Sequence, residues 1–260
     1  MTGRLAKIRR RALAALALAA ALPAAAYILP VRSILRHMGQ RRDSLSLSAL
    51  DVAGTLHAEG DAAQKLAAST GMDAAPGRLD LPARFQMKVA GRCKLEVAPR
   101  DLPDADRPFL SARDGRISGH GGLPDSPAAT ALVRALCTLL ATSTAGDASG
   151  SYAAALARRG VALGHAALGR FDGRIAFVVG GGPREAKPLL YVDKDGYQPL
   201  RLIATEGGAL MDVRLLGWGS PTGGDWFPRA VEVWEKDSLR LRFTTEKTVA
   251  NPRLPDAIFP

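Results

Sequence analysis

Phe85, Met87 and Val89 alternate with Arg84, Gln86 and Lys88, and the same one-on, one-off rhythm recurs further along the chain. Cys93, Leu95 and Val97 alternate with Arg92, Lys94 and Glu96; Leu239, Leu241 and Phe243 alternate with Arg240, Arg242 and Thr244. Successive side chains of a strand point to opposite faces, so these segments predict an antiparallel sheet with one wet face and one apolar face that something must cover. A first strand is predicted over 51–59, where Val52, Gly54, Leu56 and Ala58 share a face, followed by a long pair over 79–90 and 92–98 with Gly91 at a turn or bulge. Asp114-Gly115 reads as a hairpin turn. From Val161 onward a meander is predicted over 162–171, 174–179, 188–192, 200–205, 209–216, 229–235 and 239–245. Its turn signals are Asp172-Gly173, Gly180-Gly181-Gly182, Asp195-Gly196, Gly207-Gly208 and Gly223-Gly224.

Helical spacing is confined to a few places. Ile34, Leu35 and Met38 form a stripe over 31–42, and a short helix fits 61–69. In the middle of the chain Ser126-Pro127 is an N-cap and first-turn pair, and Leu132, Val133, Leu136, Leu139 and Leu140 then recur at helical intervals. A second helix of this insert, about 126–160 in all, runs over 152–159 and stops at Gly160. The expected architecture is α+β: a curved antiparallel sheet forming a half-open β-barrel, with helices covering its concave face. A sandwich would require the inner faces of two sheets to match.

The first 26 residues stand apart. Arg4, Lys7, Arg9, Arg10 and Arg11 precede the Ala/Leu run Ala12 to Leu22 and an Ala-x-Ala site at Ala24 to Ala26, the layout of a cleaved export signal. A transmembrane anchor is the other reading of the same run, which is shorter than the ~20 residues a span requires. With the signal removed, a single domain over 27–260 in the periplasm is expected. Five positive charges leave with the signal, so the net charge falls from +10 to +5. That balance permits transient contact with an anionic membrane surface. It does not suggest nucleic-acid binding, because the arginines are scattered along strands and not clustered with aromatics.

Chemistry is hard to find. His37, His57, His120 and His165 are far apart and fit no metal motif, so no metal or cofactor is expected. Gly119-His120-Gly121-Gly122 lacks a companion GxSxG and reads as a flexible loop. Gly180-Gly181-Gly182-Pro183 lacks the Lys-Ser/Thr ending of a phosphate loop and reads as a turn. Asp193, Asp195 and Gly196 miss calcium-loop spacing and also read as a turn. The expectation is a protein that is not an enzyme. Cys93 and Cys137 are the two cysteines, and in an oxidising compartment a single disulfide is the natural pairing; two independently buried thiols is the other reading.

Several segments together carry a family resemblance. Ile34-Leu35-Arg36 lies on the opening helix and Val52-Ala53-Gly54-Thr55 starts the sheet. The closing stretch holds Phe227-Pro228-Arg229, Val231-Glu232-Val233, Leu239-Arg240-Leu241-Arg242-Phe243 and, after Asn251, Leu254-Pro255-Asp256-Ala257-Ile258-Phe259. With the order helix, meander, helical insert, meander, the chain resembles the LolA/LolB superfamily of outer-membrane lipoprotein carriers, which includes the LppX and RseB/MucB types. The resemblance implies a carrier that buries acyl chains of lipids or lipoproteins between sheet and lid, exchanging them with envelope donor or acceptor proteins as a monomer. The lipid-anchor cysteine of the LolB type is absent after the signal. The lipid-binding positions expected on this basis are Val52, Leu56, Phe85, Met87, Val89, Leu95, Val97, Leu241 and Phe243 on strands, and Leu132, Leu136 and Leu140 on the lid. Each is equally readable as ordinary core. Trp218, Trp226 and Trp234 are placed either at the cavity mouth or in rim and core positions. The alternative function is an RseB-like envelope regulator or structural binding protein of the same fold, without transport.

Overall fold

The computed structural model describes residues 28–72, 77–99, 102–113 and 115–260; the expected signal over 1–26 and Asp114 of the predicted hairpin turn lie outside them. Twelve strands build one antiparallel sheet: β1 (Ala49–Glu59), β2 (Arg78–Lys88), β3 (Arg92–Val97), β4 (Phe109–Arg113), β5 (Arg116–His120), β6 (Ala166–Phe171), β7 (Arg174–Val179), β8 (Leu189–Asp193), β9 (Pro199–Glu206), β10 (Ala209–Leu216), β11 (Ala230–Glu235) and β12 (Ser238–Ala250). Their order is β5-β4-β3-β2-β1-β12-β11-β10-β9-β8-β7-β6. Two meanders are thus joined where β1 pairs with β12, the first strand with the last, and β5 and β6 remain as open edges of a half-open barrel. The helices are α1 (Val31–Asp43), α2 (Asp61–Thr70), α3 (Pro127–Leu136) and α4 (Ala148–Arg158); α3 continues into one π-helical turn, Cys137–Ala141.

The β1/β12 seam shows how the sheet bends. Its register shifts between Ala53 and Gly54, so a bulge concentrates twist at the middle of the sheet. Gly54 is required there because a Cβ at this position would lie 2.1 Å from the Thr244 carbonyl oxygen. Gly54→Ala is therefore expected to destabilise the protein by about 1–3 kcal/mol or more, since a backbone oxygen in a paired strand cannot withdraw. Gly164→Ala, where nothing lies within 4 Å, is the control and is expected to be neutral or slightly stabilising. Urea midpoints of the two variants separate these outcomes, and equal midpoints would refute the close-approach argument.

Alternation is borne out along β1, β2, β3 and β9, whose burial switches residue by residue. It fails in β8, where Leu189, Leu190, Tyr191, Val192 and Asp193 are all buried. The convex side of this region is not wet: Ala176, Val178, Leu189, Tyr191 and Leu200 form a second small core. The 180–187 loop reaches over it, and the Tyr191 hydroxyl donates to the Pro183 carbonyl at 2.8 Å. A five-residue strand covered on both faces carries no period-two signal.

Two smaller readings also change. Gly119-His120 is no flexible loop but the end of β5, with the His120 ring edge-on to Phe109 at 4.8 Å and Gly119 held against the Phe109 carbonyl. Asp193 does anchor a turn: its carboxylate accepts from the Asp195 and Gly196 N–H groups. Among the described residues no group of three His, Cys, Asp or Glu side chains could hold a metal ion, and no helix is long and apolar enough to cross a membrane.

Candidate functional site

The concave face of the sheet is occupied by α3. Ser126 caps the helix by accepting from the Ala129 N–H at 3.3 Å, and Pro127 opens its first turn. From there the helix lies across the inner face and touches β3, β4 and β9 to β12. Its side chains are almost all apolar and buried: Ala128, Ala129, Ala131, Leu132, Val133, Ala135 and Leu136, then Leu139, Leu140 and Ala141 in the π-turn. Its alanines, Ala128, Ala129, Ala131 and Ala135, are short enough to be buried against the strands around them. Cys93 of β3 and Cys137 form a disulfide, with Cα atoms 5.7 Å apart, that fastens the C-terminal end of α3 to the sheet. The Gly91 N–H donates to the Ala141 carbonyl at 2.8 Å beside it, and Arg42 donates to the Thr142 carbonyl.

The second helix of the insert does something else. Instead of plugging the sheet, α4 packs on α1 and on the π-turn. A Cβ at Gly39 would lie 2.6 Å from the Ala148 Cβ, so the α1–α4 approach depends on that glycine. Asp147 caps α4, accepting from the Gly150 N–H at 3.1 Å; the Ser149 hydroxyl and this N–H hold its carboxyl below the ordinary carboxylate value. Tyr152 is fully buried and donates to the Leu139 carbonyl at 3.1 Å, and burial raises its phenol pKa. Lid helix, clamp helix and opening helix thus form one layer.

All twelve positions singled out in the sequence belong to the region between this layer and the sheet. Val52, Leu56, Phe85, Met87, Leu95, Val97, Leu132, Leu136, Leu140, Leu241 and Phe243 lie in one continuous core, and Val89 packs against it from just beyond the end of β2. Phe227, absent from the expected set, joins Phe85 to Phe243 with ring centroids 5.6 and 6.1 Å away. Its signal was present in the Phe227-Pro228-Arg229 motif but had no periodicity to mark its face.

Of these twelve residues, Leu140 borders a small apolar crevice. That crevice lies where α1, the π-turn and the β8–β9 and β10–β11 connections meet. Met38, Leu45, Leu47, Tyr152, Trp218 and Trp226 line it together with Leu139 and Leu140. Arg41 closes its rim through an ion pair to Asp225 at 2.8 Å. The crevice holds about 30 Å³, room for a water-sized guest. Trp218 donates from its ring N–H to the Pro199 carbonyl at 2.9 Å, whereas Trp226 is 38% exposed. Trp234 is elsewhere: it lies under the Arg214 guanidinium at 4.4 Å and donates to Glu232. Two of the three tryptophans therefore mark the mouth.

A second, larger cleft of about 640 Å³ opens on another side of the lid, between the α3 and α4 faces and the tips of the β2–β3 and β4–β5 hairpins. Arg134, Arg158 and Arg159 line it, as do Thr138, Ser143 and Ser151. Sequence reading passed over it, since its arginines come from two helices that only the fold brings together.

No protein-family model and no curated protein matches the chain. Among solved structures, a domain from Vibrio parahaemolyticus described as an outer membrane lipoprotein-sorting protein is similar at 11% identity, over 88% of this chain and 97% of that one, with a TM-score of 0.45. A LolA superfamily protein from Nitrosomonas europaea is similar at 12% identity, over 90% and 98%, with a TM-score of 0.45. A DUF1329 family protein from Desulfovibrio piger is similar at 12% identity, over 90% and 98%, with a TM-score of 0.44. The likeness to LolA superfamily proteins is one of fold; at these TM-scores it carries no argument about what the protein binds.

Proposed function

We propose that this protein binds lipid in the periplasm after export by its N-terminal signal, taking acyl chains of lipids or lipoproteins between the curved sheet and the α3 lid. The observation that supports this reading is that the apolar concave face is filled by one short helix, with an apolar, tryptophan-flanked crevice at its edge. A ligand pocket normally spans about 300–1,000 Å³, so an acyl chain enters only as α3 yields. The energies permit such an exchange. The five large side chains Leu132, Val133, Leu136, Leu139 and Leu140 gain on the order of 10 kcal/mol from burial, at about 1.5–3 each. A long acyl chain gains about 12 kcal/mol, at ~0.8 per methylene. Near-balance of the two is what reversible loading requires. The protein acts as a monomer over 27–260, handing cargo between envelope partners without catalysing a reaction.

Native mass spectrometry and lipid extraction of protein purified from the envelope test this reading. Co-purified phospholipid or acylated protein is expected, together with quenching or a blue shift of tryptophan emission when a long-chain fatty acid is added. Lipid-free protein with unchanged emission would sink it. One observation favours the second reading, a regulatory or structural binding protein without transport: eleven of the twelve expected contact residues are sealed in a continuous core. A lipid-free preparation holding a stable protein partner would decide for it.

A further inference from the structure

We propose that the arginine-lined cleft beside the lid is a separate binding site for a phosphate group, on a lipid headgroup or free in solution. This inference does not rest on acyl-chain burial; the two sites share no lining side chain. Helix geometry assembles the cleft. Arg134, Thr138 and the π-turn lie on one edge of α3, and Ser151, Ala154 and Arg158, three and four residues apart, lie on the facing edge of α4. Among the described residues no carboxylate lines it. Glu206 holds two of the arginines: it accepts from Arg134 at 3.1 and 3.2 Å and pairs with Arg159. One buried carboxylate thus fixes two guanidiniums and neutralises one, and Arg158 adds a further charge. Arg158 is exposed and has no side-chain partner among the described residues.

The two fixed arginines are not saturated by Glu206. Glu206 engages Nη1 of Arg134 and Nη2 of Arg159, so Arg134, its side chain 33% exposed, keeps further N–H donors for a ligand with several acceptor oxygens. Guanidinium forks match phosphate geometry, and the hydroxyls of Thr138, Ser143 and Ser151 supply further donors. Ala90, Ala112, Ala154 and Ala155 give the cleft an apolar wall, suited to the carbon next to a phosphate ester.

Isothermal titration of the full-length protein, signal removed, tests this with two probes at low salt: inorganic phosphate, and dihexanoyl phosphatidic acid below its micelle concentration. Saturable binding is expected, weakened about tenfold or more by Arg158→Gln, the cost of losing one charge-assisted contact. Arg158→Lys keeps the charge without the fork and is expected to fall between. Similar affinity for both probes identifies free phosphate as sufficient; phosphatidic acid binding at least tenfold tighter identifies the lipid headgroup. No saturable binding of either probe to the native protein overturns the proposal. So does binding that Arg158→Gln leaves unchanged in protein whose melting curve is native. Because inorganic phosphate has no acyl chain, failure here is distinct from failure of the lipid reading.

Discussion

Replacing Cys93 and Cys137 together by alanine is expected to lower stability by about 4 kcal/mol, the loop-closure value for a 44-residue separation. The reason is partly outside the folded structure, since the bond restricts the unfolded chain. Its effect on the folded state bears on function. The N-terminal part of α3 is held by noncovalent contacts, packing and the Arg134–Glu206 pair, but its C-terminal end is bolted covalently to β3. Any motion that admits an acyl chain in the oxidised protein therefore pivots about Cys137, lifting the end nearer Ser126. Breaking the bond leaves noncovalent contacts alone to hold the C-terminal end. The paired variant is expected to unfold at lower urea and to exchange the amide hydrogens of 127–141 faster than those of β1 and β12. If the urea midpoint is unchanged and exchange in α3 stays as slow as in the central strands, the helix is held by packing alone and the pivot is refuted.

Glu206→Gln is expected to cost about 3–5 kcal/mol, the usual penalty for breaking a buried ion pair from one side. Glu206 is 6% exposed, yet it serves two arginines from different helices, Arg134 of α3 and Arg159 just past α4. It stands at the end of β9, so it ties the lid to the half of the sheet opposite the disulfide. Neutralising it leaves Arg134 and the largely buried Arg159 without their shared counter-charge. The variant Arg134→Met/Glu206→Gln is expected to be less destabilised than the sum of its single changes, because it removes one of the two stranded charges. A double-mutant cycle by chemical denaturation measures this, and strict additivity would mean the pair is not coupled. Disulfide and ion pair together place the lid's attachments at its two sides, away from the tryptophan-flanked crevice.

Much of the scaffold was legible because it rests on local rules. Ser126-Pro127 marked a real helix start, and the alternation in 79–90 and 92–98 marked real strands, β2 ending at Lys88 and β3 at Val97, whose Leu79, Leu81, Ala83, Phe85, Met87, Cys93, Leu95 and Val97 turn inward. The twelve expected contact positions converge for the same reason, since one apolar face per element leaves little choice of partner layer. What they meet was not legible. Leu136 reads the same whether it packs permanently in the core or yields to a guest, for periodicity records which face is apolar and not how firmly it is held.

Alternation of apolar and polar residues, helix caps and glycine turns determined by themselves the strands, the meander order and an apolar inner face. Only the tertiary structure decided that α3 alone fills that face while α4 clamps α1, that Cys93 reaches Cys137, and that Arg134, Arg158 and Arg159 share a cleft. Each of these is a meeting of segments apart in the chain, brought together by a sheet that bends around α3. Curvature arises from the summed twist of twelve paired strands, a quantity no single stretch of sequence carries.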